Sequence, residues 1–458
     1  MWDDCEFYPE NGIEVLLLMS FVKIGDNNEL RMHDQLRDLS RDIVHQENFK
    51  EPGERSRAWL HKEASDILET HTGTRKVEAL CVDFGLESHA CCLTNEEFSD
   101  LSNLRFLQMG TMQTWMEILS IARKLKALNL TGCSYMVRTP DFSAYETLER
   151  LILEECESLV HIDPSIGYLK SIVFLNLKNC AKLSRLPVEF DSVESLTELL
   201  IEGTSIEEFP VGRGVMKKLE TLSATCCGSL TQISTSISDL KSLSVLTFDL
   251  TKLPDSIGKL ESLIELRLFG TRFTDLPDTI GNLKSLRVLD IDYSFIMKLP
   301  STIGMLLKLE ELHASHCYNL KGEIPSNVER VSCLRILRID CTNICSLPTS
   351  IGLSHLQTLD LLGCRELQFL PELPSSLVID ETSMSVINYH CRRLLNTSIY
   401  AVLALVVLWD AAASLRLSLV NLADLTYTIV LNFFSLVNCT FVSLIACYSL
   451  GYILSVAF

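Results

Sequence analysis

Side chains able to bind or catalyse are plentiful in these 458 residues, but their spacing excludes most chemistry. No histidine falls into a Ser/His/Asp arrangement, and adjacent carboxylates such as Glu310 and Glu311 read as ordinary solvent-facing charges. Neither nucleophilic nor acid–base catalysis is indicated. His313, His316 and Cys317 are close in sequence, yet His313 falls at an outward strand position and Cys317 at an inward one, which argues against a shared metal. Cys91–Cys92, Cys226–Cys227 and Cys341–Cys345 lack the paired spacing of zinc sites. No G-x-x-x-x-G-K-[ST] loop occurs that could cradle phosphates. The chain is therefore expected to be non-enzymatic, with no metal and no cofactor of its own. What remains is a binding patch. Arg267, Asp290, His313, Arg338 and Asp360 recur at one position of successive units, with Phe269, Asp292, Tyr293 and Asp340 beside them. Arg, Asp and aromatic side chains clustered on one face suit a protein partner. The same set also reads as a solvated face with pairs such as Arg267–Asp290 and Arg338–Asp360, each worth about 0–1 kcal/mol.

The elements that must position this patch are set by a leucine pattern, L-x-x-L-x-L-x-x-C/T. It reads Leu125, Leu128, Leu130, Cys133, then Leu148, Leu151, Leu153, Cys156, and recurs to Leu356, Leu359, Leu361, Cys364. From Leu104 to Leu356 the first positions span 252 residues in eleven steps, a period of about 23. That period and pattern mark an α/β solenoid, a leucine-rich-repeat horseshoe of about twelve repeats. Each unit supplies a short strand to the concave side, where position five points outward. The convex side carries turns such as Leu276-Pro277-Asp-Thr-Ile-Gly281, in which proline stops sheet or helix from continuing. The step from Leu246 to Leu266 is short, and the step from Leu312 to Leu337 is long, with an insert at Lys321-Gly-Glu-Ile-Pro325.

Cysteine usage fits this frame. Six of the 17 cysteines, Cys133, Cys156, Cys180, Cys227, Cys317 and Cys364, occupy position nine, which elsewhere holds Thr204, Thr251, Thr271, Ser294 and Thr342. Small residues with a donor can turn inward there and bond the backbone of the next coil, so reduced thiols are expected rather than disulfides. A net charge of −19 is unsuited to nucleic acid or an anionic membrane surface.

Residues 1–90 lie outside the repeats. Ile13–Val22 reads as an apolar helix, Phe21–Ile24 and Leu30–Met32 as a hairpin, and Asp34–Gln46 as an amphipathic helix with Leu36, Leu39, Ile43 and Val44 on one stripe. This is a small, mostly helical winged-helix remnant over 1–60. Residues 61–90 read as linker and first strand, with a helix over Ala64–Thr70 and a strand over Val77–Phe84. The repeats follow over 91–375, then a linker over 376–393. The tail, 394–458, is hydrophobic, and 425–458 carries no charge, long enough for a transmembrane helix; 394–409 is a weaker candidate. The N-terminus lacks the basic and apolar regions of a signal peptide.

Three motifs then fall in order. Arg31-Met32-His33-Asp34-Gln35-Leu36 resembles the MHD segment of plant intracellular nucleotide-binding leucine-rich-repeat immune receptors. Glu51-Pro-Gly-Glu-Arg-Ser-Arg57 and Ile67–Leu80 resemble the linker that follows it in the Toll/interleukin-receptor-type subclass, and Thr139-Pro-Asp-Phe-Ser143 fits the repeats. The resemblance covers about 1–375. It implies a defence receptor whose repeats recognise a pathogen effector or a guarded host protein and clamp the nucleotide-binding domain. It also implies that His33, with Asp34 beside it, senses ADP in a full-length parent, ADP and ATP being that parent's ligands. For this chain alone, His33 reads as a polar helix-start residue beside Asp34, an acceptable N-cap. The nucleotide loop and the Toll-type domain would lie upstream. The expected location is cytoplasmic or nuclear. A membrane-anchored repeat protein, held by 425–458, and a non-functional truncated product stay open as alternatives.

Overall fold

The computed structural model describes residues 15–24, 30–82, 96–110, 122–209, 216–230, 233–249, 251–348 and 355–368. Residues 15–18 make a single helical turn, and Ser20 leaves it with left-handed backbone at φ 59°. The apolar helix expected as far as Val22 stops there, because Val22–Ile24 pairs antiparallel with Leu30–Met32 as the expected hairpin. Helix α1 follows over Asp34–Glu47. His33, rather than Asp34, is its N-cap, and its Nδ1 accepts from the Gln35 N–H at 3.3 Å. Of the expected apolar stripe only Val44 is buried; Leu39 and Ile43 are exposed.

The buried Arg55 ties α1 to the next helix, α2, His61–Glu69. Its Nε donates to the Asn48 carbonyl at the α1 C-cap (2.7 Å), and its Nη1 pairs with Glu63 of α2 at 2.8 Å. The parallel sheet starts ahead of the expected first strand: Arg57–Ala58 already pairs with Ala79–Val82. Ala64, Ile67 and Leu68 of α2 are fully buried and belong to the same apolar cluster as the repeats, so α2 seals the front of the solenoid core. This is the cap that a stacked fold needs at its end.

From Arg57–Ala58 to Thr358–Asp360, fourteen described strands form one parallel sheet. Strand residues alternate between faces, and pairing keeps equivalent positions aligned, Leu266↔Leu289↔Leu312↔Leu337 for example. Positions four and six therefore all enter the core, where these leucines are at most 1% exposed. Short 3-10 turns such as Asp278–Asn282 and Ser301–Met305 stack on the other side. Their spacing explains the glycine in the turn motif: a Cβ on Gly281 would lie 2.6 Å from the Thr302 carbonyl oxygen. The Lys321–Pro325 insert supplies Lys321–Glu323, which pairs with Asn343–Ser346 as a separate two-stranded sheet.

Position nine forms an inward ladder, but it bonds backward. Cys133, Cys156, Cys180, Cys227, Cys317 and Cys364 donate to carbonyls of the preceding coil, not the next, at 3.0–3.4 Å. All eleven described cysteines are free thiols. Contact with the Cys133 thiol, together with burial, pushes the Cys156 thiol up to about 12, and Cys180 is raised further by contact with Cys156 and by burial. Such thiols stay protonated and unreactive. Other residues at this position depart from the ladder: Thr204 and Thr342 donate to carbonyls of their own coil, Thr251, in the short coil, is exposed, and the fully buried Thr271 hydroxyl has no hydrogen-bond partner among the described residues. No helix among the described residues is long and apolar enough to cross a membrane. The spans expected at 425–458 and 394–409 lie outside the described residues.

Candidate functional site

Register places Arg267, Asp290, His313, Arg338 and Asp360 in one row across five adjacent strands. Strand spacing puts neighbours about 4.7–4.9 Å apart. The expected pairs Arg267–Asp290 and Arg338–Asp360 do not form. Arg267 pairs along its own strand with Glu265 at 2.9 Å, and His313 Nε2 lies 3.1 Å from Glu311. Asp290 and Asp360 instead accept the backbone N–H two residues on, at Asp292 and Leu362, both at 3.0 Å. Asn129 and Asn176 do the same for Thr131 and Lys178. Position five thus holds the turn leaving the strand, as Asx side chains do. Arg267 and Arg338 are left exposed on the row.

A second row runs just beyond the strands. The ring centroids of Phe269 and Tyr293 are 5.1 Å apart, Tyr293 stacks on His316 at 4.5 Å and 17°, and His316 meets Tyr318 edge-on at 5.8 Å. Phe269, Tyr293 and Tyr318 are 51%, 47% and 61% exposed, too much apolar surface to be explained by the core. Under them lie Asp292, whose Oδ1 accepts the Ser315 N–H at 2.5 Å, and the buried Asp340. Burial, then the charges of Asp290 and Asp340, raise the Asp292 carboxyl, against the Ser315 N–H and His313.

His316, Tyr318 and Cys341 complete this row, although the strand alternation alone did not assign them to it. The signal was present at position eight. There the backbone turns left-handed in repeat after repeat: Gly132, Gly203, Gly270 and Gly363 have φ of 67–76°, and Glu155, Asn179 and Cys226 have φ of 58–60°. Tyr293, His316 and Cys341 hold the same position with φ of 58°, 57° and 54°. A bulky residue is strained in that region, by roughly 1–3 kcal/mol, and the six non-glycine residues at position eight share that strain, so it is the side chains of Tyr293, His316 and Cys341 that set this face apart. His33 and Asp34 are at the start of α1 and take no part in this face.

Similarity to known proteins agrees with this architecture. Residues 1–48 match the winged-helix domain of disease resistance protein Roq1-like proteins, and residues 254–326 match a leucine-rich repeat region. TMV resistance protein N of Nicotiana glutinosa is 28% identical over 322 residues, covering 58% of this chain and 27% of that protein. Disease resistance protein RPP2A of Arabidopsis thaliana is 25% identical over 304 residues, covering 50% of this chain and 23% of that protein. The chain is similar to plant disease-resistance proteins in both its winged-helix part and its repeats. It spans about a quarter of the length of these two relatives. An internalin from Listeria monocytogenes shares the solenoid fold, with a TM-score of 0.50 and 18% identity over 76% of this chain and 94% of that one.

Proposed function

We propose that this chain is a non-enzymatic recognition module of plant innate immunity, and that it reads a protein partner, a pathogen effector or a guarded host protein, through the sheet face from Arg267 to Asp340. The observation that carries this reading is the exposed row Phe269–Tyr293–His316–Tyr318, flanked by Arg267 and Arg338. Aromatic and arginine side chains are the groups that dominate protein interfaces. Among the described residues Arg267 pairs with Glu265 through Nε and one terminal nitrogen, which leaves further guanidinium donors for a partner. In a full-length receptor the same module acts on a nucleotide switch, with His33 facing bound ADP, and works in the cytoplasm or nucleus.

A panel of secreted pathogen effectors, assayed for binding to the purified chain, tests this. A binder specific to the face loses at least tenfold in affinity with Tyr293→Ala or Arg338→Ala, and keeps its affinity with Val188→Ala, which is 82% exposed on a 3-10 turn. A binder indifferent to Tyr293 and Arg338 but lost on changes to the turn side would overturn the reading.

A further inference from the structure

His316, Asp340 and Cys341 bring one ligand atom each, an imidazole nitrogen, a carboxylate oxygen and a thiol sulfur, to within 4.8 Å of one another. We infer that these three side chains form a binding site for a divalent cation of the zinc class, on the sheet face between two adjacent coils. The donor set is a mixed N, O and S set that zinc takes readily.

Geometry favours a cation over a simple ion pair. His316 Nε2 and Asp340 Oδ2 are 3.6 Å apart, long for a charge-assisted hydrogen bond. Zn–N and Zn–O bonds of about 2.0–2.1 Å in a tetrahedron give a ligand–ligand edge of about 3.3–3.5 Å, close to this separation. The other imidazole nitrogen, Nδ1, lies 3.0 Å from the Tyr318 hydroxyl. Donation of the Nδ1 proton to that oxygen leaves the Nε2 lone pair directed toward Asp340, the arrangement that orients a metal-binding histidine. Asp340 is buried, and its carboxylate charge is felt at Asp292, itself beside Asp290, so the locality is rich in negative charge. The face of the His316 ring is held by Tyr293 at 4.5 Å, which limits its swing.

Position eight is left-handed in every described repeat from Gly132 on, whether filled by glycine or by Glu155, Asn179 or Cys226, and this turn brings His316 and Cys341 to the same place in adjacent coils. Cys341 differs from the ladder cysteines, which point inward to carbonyls. It is half-buried at the surface, and its thiol has no carbonyl partner among the described residues. Three protein ligands leave a fourth position for water.

Cobalt(II) reports such a site directly, because a tetrahedral thiolate complex has intense visible bands and a thiolate-to-cobalt charge-transfer band. Titration of the reduced full chain with Co2+ is expected to develop both, saturating at one equivalent, and Zn2+ to bleach them. Cys341→Ser should abolish the charge-transfer band, and His316→Gln and Asp340→Asn should each weaken binding at least tenfold. Cys226→Ser should change nothing: Cys226 has the same position and φ of 58° but no such neighbours. Circular dichroism of each variant confirms that the solenoid is folded. No band at one equivalent, or a band that survives Cys341→Ser, would overturn the site. Neither result bears on effector binding, which the Val188, Tyr293 and Arg338 variants test separately.

Discussion

Replacing threonine with valine at position nine should have opposite effects in two repeats of the same sheet. Thr271 is fully buried and its hydroxyl has no partner, whereas the Thr342 hydroxyl donates to the Ile339 carbonyl at 2.7 Å. A buried hydroxyl left unsatisfied costs about 1–3 kcal/mol, while a satisfied one contributes about 0.5–1.5 kcal/mol. Thr271→Val keeps the shape and removes the orphan, so a gain of about 1–2 kcal/mol is expected. Thr342→Val loses the bond but leaves no carbonyl stranded, because Ile339 also accepts from the Cys364 thiol at 3.0 Å. The loss there should be about 1 kcal/mol. The two variants thus differ by about 2–3 kcal/mol, roughly 30- to 160-fold in an opening equilibrium. Urea midpoints should rank Thr271→Val above the parent chain and Thr342→Val below it. Because a solenoid opens locally, native-state amide exchange of the strands Glu265–Arg267 and Ile336–Arg338 gives the more direct reading. If Thr271→Val destabilised the chain as Thr342→Val does, its hydroxyl would have a partner, such as a buried water, and the reasoning would fail.

The same packing makes other outcomes measurable. Gly281→Ala should destabilise by about 1–2 kcal/mol in a urea titration, because the added methyl meets the Thr302 backbone rather than a movable side-chain tip. Arg55→Ala should cost about 3 kcal/mol, since it strands Glu63 and the carbonyl at the end of α1; protease cleavage after α1 should then quicken. Glu198 sits beside Arg150, whose guanidinium lies 3.8 Å over the Phe174 ring, yet burial still raises its carboxyl above the usual range. A carboxyl raised in the folded state favours folding when protonated, and that contribution is lost as pH rises through its folded value. Glu198→Gln should therefore be more stable than the parent at neutral pH, with the difference vanishing below the ordinary glutamate range; equal stability at both pH values would refute it.

Much of the fold was legible because the leucine period is itself the packing rule. Each of Leu266, Leu289, Leu312 and Leu337 had to enter the core, and the register follows from that. The front end was harder to read. Arg55 looks like part of a polar break, and only its burial between Asn48 and Glu63 shows that the solenoid already begins there. On the candidate face, outwardness was readable from alternation, and Arg267, Tyr293 and Arg338 were found that way. The purposes of Asp290 and Asp360 were not, because a local turn bond and a cross-strand ion pair use the same residue type. In the sequence, His316 and Cys341 stand as possible ligands only with their neighbours His313, Cys317 and Cys345, because their meeting with each other runs across two coils through equivalent left-handed turns.

The gap in the inward ladder has a mechanical consequence. Thiol-to-carbonyl rungs tie coils to their predecessors as far as Cys227, with one break at Thr204, and the next such rung is at Cys317; of the three positions between them, the Thr271 hydroxyl has no partner among the described residues and Ser294 meets only the Cys317 thiol. The short coil falls in this interval. In a stack where each unit holds only its neighbours, stiffness is set locally, so bending concentrates where the ties are fewest. The chain is in effect two springs joined by a softer one. The coils from Cys317 onward can therefore pitch against the stretch built on α2 without either losing its own order. A load applied by a bound partner would be felt at once in that softer joint, because Arg267, Phe269 and Tyr293 stand on it.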